Sequence, residues 1–231
     1  MFDIKPEDLQ NLKYKKINDL IFKPDSGDYK IRFIPWFKDP RNSIVEKKLF
    51  WITNPETDKL MGYPFNNIVN DLYWQLMRKN KYKYSKYIKL QKKYFSIIQI
   101  IKDSTKKYNS GELFILNYNS LIYLQIKDQL KQNELVFHPY KGNIFNFSID
   151  HNQKFTKYNN SYFLGNHHPI LVNGDTCFDD EKIINFLKKN SPDLSLFERE
   201  EIASETHSKH LGDFIKVVLP EYNTKRVMNI I

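Results

Sequence analysis

Few residues in this 231-residue chain have the types and spacing that carry a reaction. Phosphate-cradling loops need glycines whose bare backbone lets oxygens approach, and neither G-x-x-x-x-G-K-[S/T] nor G-x-G-x-x-G occurs among its seven glycines. The G-x-S-x-G elbow and the H-E-x-x-H helix are missing too. Asp179-Asp180-Glu181 would suit Mg²⁺ in a nuclease, but adjacent acids at a helix start also serve as cap and as compensation for the helix dipole. His167-His168 precedes Pro169 with no cysteine nearby. Cys177, alone, supplies neither a disulfide nor a thiolate cluster. The expectation is a chain without catalytic residues, metal or cofactor.

The conspicuous residues are of a kind that binds rather than reacts. Eleven Lys or Arg between Arg78 and Lys107 face one acid, Asp103, so this segment carries +10, more than the whole formal charge of +9, and the rest of the chain is nearly neutral. Arg78, Lys79, Lys81, Lys83, Lys86, Lys89, Lys92 and Lys93 interleave with Tyr82, Tyr84, Tyr87, Tyr94 and Phe95. Cations neutralise phosphates and aromatic faces stack on bases whatever the sequence, which is the chemistry of a single-stranded nucleic-acid groove. A purely electrostatic surface needs no rings, and a duplex reader needs a recognition helix, for which no helix-turn-helix pattern is found. The competing description is a solvated lysine-rich helix or loop whose tyrosines pack onto the core. Nine acids against four bases from Asp175 to Glu205 give the opposite bias, so charge is segregated along the chain.

The elements that must position these groups follow from patterning. A composition of 41% hydrophobic and 15% aromatic residues indicates a folded chain. No apolar run approaches the roughly 20 residues that span a bilayer, so no membrane partner is expected. The opening MFDIKPEDLQ lacks an apolar signal region, and a cytoplasmic location is expected. Residues 1–27 read as an N-terminal arm with a short helix around Glu7 to Leu20. Strands are expected at Tyr29 to Phe37, with Tyr29, Ile31 and Phe33 facing inward against Lys30 and Arg32, and at Ile44 to Ile52. Asn54 to Tyr63 reads as turns, and Phe65 to Arg78 has helical spacing. Further strands follow at Tyr94 to Lys102, Glu112 to Tyr118, Leu135 to Phe137 and Asn143 to Asp150, with a helix at Ser120 to Leu130. From Asp179 the pattern becomes helical, over Asp179 to Asn190, Leu196 to Ser204 and His210 to Leu219.

Several of these segments, in this order, resemble one family. The run KKYFSIIQIIKDSTKKYNSGELFILNYNSLIYLQI, Lys92 to Ile126, is similar to the central part of the helix-destabilising single-stranded DNA-binding proteins of T-even-type tailed phages. Tyr94-Phe95 falls on the family's tyrosine-tryptophan pair, Lys102-Asp103 on its Lys-Asp, and Gly111 to Tyr118 on the strand that follows. Phe137 to Phe145 resembles its Pro-aromatic-x-Gly strand start, FTKYNNSYFL (Phe155 to Leu164) an aromatic-rich segment, and Tyr29 to Pro35 its first strand.

The resemblance spans, with gaps, roughly residues 28 to 220. It implies a mainly β fold with α: an oligonucleotide-binding (OB) core, a five-stranded Greek-key barrel, with an inserted helix and C-terminal helices. The implied domains are an arm at 1–27, the DNA-binding core at 28–175 and a helical region at 176–231 packed on it. Lys92, Lys93, Tyr94, Phe95, Tyr118, Phe155 and Tyr158 become the implied contacts. Because neighbouring strand residues face opposite sides, only one of Tyr94 and Phe95 is expected in the groove, Tyr94, with Phe95 packed inside.

Single-stranded DNA is the implied partner and a coating role in phage replication, recombination or repair the implied function. Replication or recombination proteins are candidate further partners, and self-association along DNA is left open. For a phage-encoded protein the location is the host cytoplasm. Three departures matter. Pro55 to Arg78 has no Cys or His where best-known members hold zinc, so zinc is not expected. Arg226 to Ile231 shows no acidic, partner-recruiting tail, and Lys13, Lys15 and Lys16 match the basic N-terminal arm only weakly.

Overall fold

A computed structural model describes residues 18–64, 67–78, 86–132, 135–151, 160–198 and 205–218. Its strands are β1 (Gly27–Ile34), β2 (Val45–Thr53), β3 (Leu60–Pro64), β4 (Ile88–Asp103), β5 (Leu113–Tyr118), β6 (Gly142–Ile149), β7 (Tyr162–His168), β8 (Leu171–Val172) and β9 (Asp175–Thr176). Its helices are α1 (Asn67–Arg78), α2 (Ser120–Lys131), α3 (Asp180–Asn190), α4 (Ser195–Glu198) and α5 (Glu205–Val218).

The fold is mainly β. Seven strands form an antiparallel sheet in the order β3-β2-β4-β1-β6-β7, with β5 also on β4. The expected closed five-stranded barrel is not what the described strands build: β3 and β7 end the path without pairing to each other. β4, with 16 residues, is long enough to serve three partners along its length, which branches the sheet.

The residues fall into two compact units. One holds the described residues up to Val45 and those from Tyr94 to Phe197; the other holds Glu46–Lys93 and those from Glu198 onward. These boundaries differ from those expected at 27/28 and 175/176: α3 belongs to the first unit and α5 to the second.

In the first unit β1 lies between β4 and β6. Tyr29, Ile31 and Phe33 are fully buried, as their alternation predicts. Arg32 departs from the expected polar face and is also fully buried. The turn at residues 138–141 covers that face, and the guanidinium donates to the carbonyls of His138 (2.7 Å), Pro139 (3.1 Å) and His168. Burial lowers its pKa to about 9, which leaves it a cation at neutral pH. Asn119 caps α2 by accepting from the N–H groups of Leu121 and Ile122. Asn173-Gly174, both at positive φ, closes the β8–β9 hairpin.

In the second unit one core gathers Phe50 and Ile52 of β2, Tyr63 of β3, Val69, Leu72 and Leu76 of α1, and Ile88 of β4. Leu211, Phe214, Ile215 and Val218 of α5 complete it. Tyr63 O–H donates to His210 Nδ1 at 2.5 Å while His210 Nε2–H donates to the Lys59 carbonyl at 3.0 Å, joining β3 to α5.

Candidate nucleic-acid interface

Strand alternation decides what the second unit presents to solvent. Phe50 and Ile52 point into the core, so Trp51 and Thr53 lie on the other face of β2. Tyr63 points inward on β3, which leaves Gly62 and Leu60 outward, and Ile88 points inward on β4, which leaves Lys89 and Gln91 outward. On this outer face a cavity of about 630 Å³ is lined by Trp51, Thr53, Leu60, Lys86, Tyr87, Lys89, Leu90 and Gln91. Trp51 Nε1–H donates to Gln91 Oε1 at 2.6 Å. The Lys86 ammonium lies 4.8 Å from the centroid of the Tyr87 ring. Exposed cations at the lip of an aromatic-lined hollow can meet phosphates while the rings meet bases.

Of the residues expected at the interface, Lys86, Tyr87 and Lys89 line this cavity. Lys92 is exposed and pairs with Glu46 at 3.3 Å. Such a surface pair contributes at most about 1 kcal/mol and yields readily to a phosphate. Lys93 is half-buried next along β4. Arg78 is exposed at the end of α1, where it lines a second hollow of about 360 Å³ with Trp74 and Met77. Lys79, Lys81, Tyr82, Lys83, Tyr84, Phe155 and Tyr158 lie outside the described residues.

Tyr94, Phe95 and Tyr118 require correction as base contacts. Each is at most 5% exposed, and all lie in cores of the first unit. Tyr94 stacks on Tyr123, centroids 4.1 Å apart and planes 3° from parallel, and Phe95 stacks on Phe197 at 4.2 Å. Tyr118 hydrogen-bonds to Ser96 Oγ at 2.9 Å, Ser96 donates in turn to the Ser43 carbonyl at 2.8 Å, and burial pushes the phenol pKa up. These rings already have partners where a base would have to enter. Phe95 is inside, as expected; Tyr94 is inside with it. Sequence reasoning missed Trp51, Leu60 and Gln91, although the inward Phe50 and Ile52 on either side of Trp51 signal its outward direction.

Several of the candidate reactive groups are otherwise engaged. Asp179 caps α3, accepting from Lys182 N–H at 3.1 Å, and Asp180 accepts the Tyr140 hydroxyl, a bond that pushes that phenol up to about 12. His167 is exposed on β7, and His168 Nδ1–H donates to the Pro169 carbonyl at 2.7 Å. Among the described residues no three His, Cys, Asp or Glu gather as a metal site, and no helix is long and apolar enough to cross a membrane. Neither the protein-family models nor the curated proteins searched contain a match to this chain.

Proposed function

We propose that this chain is a non-enzymatic single-stranded DNA-binding protein that coats unwound DNA during phage replication, recombination or repair. The observation that carries the proposal is the outer face of β2, β3 and β4, where Trp51 and Tyr87 share one cavity with Lys86 and Lys89. Rings with cations suit a single strand, whose bases are free to stack, better than a duplex, whose bases are already stacked. The choice of DNA over RNA, the kinship with the phage helix-destabilising proteins and the OB character of the antiparallel strands rest on the resemblance of Lys92 to Ile126 and the flanking segments. Replication or recombination proteins, and further copies of the chain along DNA, are the partners such a coat would meet.

The test is fluorescence anisotropy with a labelled oligodeoxythymidylate, a matched duplex and the corresponding RNA over a series of salt concentrations. The single DNA strand should bind tightest, and log Kd should rise with log salt by about 0.7 per phosphate contact. Equal affinity for duplex and single strand would overturn the proposal. Mg²⁺- or Mn²⁺-dependent cleavage of the strand, lost on Asp180→Ala, would replace it with a nuclease.

A further inference from the structure

One side chain of the cavity is held in place before any ligand arrives. Trp51 on β2 pairs across the sheet with Gly62 on β3. A Cβ added at Gly62 would stand 3.2 Å from two carbons of the six-membered indole ring, closer than side chains ordinarily approach. The ring therefore lies over the β3 backbone in space that any residue other than glycine would crowd. Its Nε1–H is tied to Gln91 Oε1 at 2.6 Å, which fixes the rotation of the ring from the β4 side. Backed by β3 and anchored at its edge, the indole still lines the open cavity with Tyr87 and Leu60, the latter 58% exposed. Among the described residues the buried cluster of the second unit takes Phe50 and Ile52 from the same strand and leaves Trp51 out, while Tyr87 and Leu90 pack against its edge. An aromatic ring already immobilised loses little conformational entropy when a second ring stacks on it.

We infer that Trp51 is the platform on which one unpaired nucleobase of a bound strand stacks, with Lys86 and Lys89 meeting the phosphates beside it. This rests on the single-strand proposal above and adds to it the residue that receives a base. Gly62 and Gln91 are positioning residues, acting through the indole. Because Gln91 Oε1 is occupied by the indole N–H, the pocket receives a base through its face rather than by an acceptor at that position, which favours no particular base.

The test combines anisotropy with photocrosslinking. Trp51→Ala should weaken binding of an oligodeoxythymidylate by about 5- to 150-fold, the equivalent of one lost stack, and leave the salt slope unchanged because no cation is removed. Trp51→Phe, which keeps an aromatic face, should bind more tightly than Trp51→Ala. In the unaltered protein, a strand carrying 5-iododeoxyuridine should crosslink on irradiation to the peptide containing Trp51, a readout that does not depend on any variant folding. Strand binding with no adduct at Trp51, or with Trp51→Ala within about twofold of the unaltered protein, overturns the platform and leaves the single-strand proposal standing. Failure of the unaltered protein to bind any single strand overturns both.

Discussion

Replacing Tyr94 with Ala sets core packing against base stacking. The ring is 3% exposed, lies flat on Tyr123 at 4.1 Å and sits 5.9 Å from Tyr118 at an interplanar angle of 24°. To reach a base it would have to leave both neighbours and open a void between β4, β5 and α2. Truncating a buried aromatic costs about 3–5 kcal/mol, part of it the stacking worth about 0.5–1.5 kcal/mol per aromatic pair. A loss of about 4 kcal/mol lowers Tm by roughly 8–16 °C in a chain of this size. Urea denaturation followed by tyrosine absorbance should give the same loss in the transition of the first unit, with the slope m unchanged. Affinity for a single strand, measured where the variant is still folded, should stay within about twofold of the unaltered protein. A variant with unaltered Tm and an affinity reduced by about 5- to 150-fold, one stack, would refute the burial argument and return Tyr94 to the interface.

Three further outcomes are expected. Lys86→Ala with Lys89→Ala should weaken strand binding and flatten the log Kd against log salt slope by about 0.7 for each lost contact, as read by anisotropy titrations; an unchanged slope would remove these lysines from the phosphate path. Gly142→Ala would place a Cβ 2.4 Å from Arg32 Nη2 and 3.1 Å from the His138 carbonyl, forcing the buried guanidinium off its carbonyls. Such overpacking costs about 1–3 kcal/mol, and each displaced charged hydrogen bond about 1.5–3 more, so chemical denaturation should show at least 2 kcal/mol lost. Although partial burial raises the Asp103 carboxyl, hydrogen bonds from the Thr105 hydroxyl and from the N–H groups of Tyr108, Thr105 and Lys107 hold it below its usual value. Its folded pKa being depressed, its contribution is complete above about pH 4 and declines as pH falls towards the folded value. Asp103→Ala should cost about 1–2 kcal/mol at pH 7 and progressively less below pH 4, measured by denaturation across that range.

Much of the fold is legible in periodicity, and what escapes it has identifiable causes. β1, β2, β5, α1, α2 and α3 fall close to the segments that alternation and helical spacing mark out. β3 hides among turn residues because Gly62 and Pro64 read as breakers. Gly62 is there to clear the Trp51 ring, and Pro64 ends a strand at the edge of the sheet, where a missing N–H does little harm. The β8–β9 hairpin carries the strongest local signal of its kind, Asn173-Gly174, between strands too short to show a period. Arg32 deceives because alternation predicts which way a side chain points and not whether another segment covers that side. Gln99, polar within an apolar run, is explained only by distant chain: its amide donates to the carbonyls of Gly111 and Leu171 and accepts from Leu171 N–H.

The basic and aromatic segment divides where β4 passes from one wet face to none. β4 begins with Ile88, Lys89, Leu90 and Gln91, in which inward apolar and outward polar residues alternate, the signature of a strand with one wet face. From Tyr94 to Ile100 every residue is buried, and paired strands flank β4 on both edges, with β5 beside Tyr94 to Gln99 and β1 beside Ile97 to Asp103. A continuous apolar run of this kind marks a strand covered on both faces, so rings that open it belong to the core however many lysines precede them. Lys92, Lys93, Tyr94 and Phe95 are contiguous in sequence, yet the charge ends where the second covered face begins. The rings that line an open cavity are therefore Trp51 and Tyr87, on the side of the sheet with a wet face, rather than Tyr94 and Phe95, which directly follow Lys92 and Lys93 along the chain.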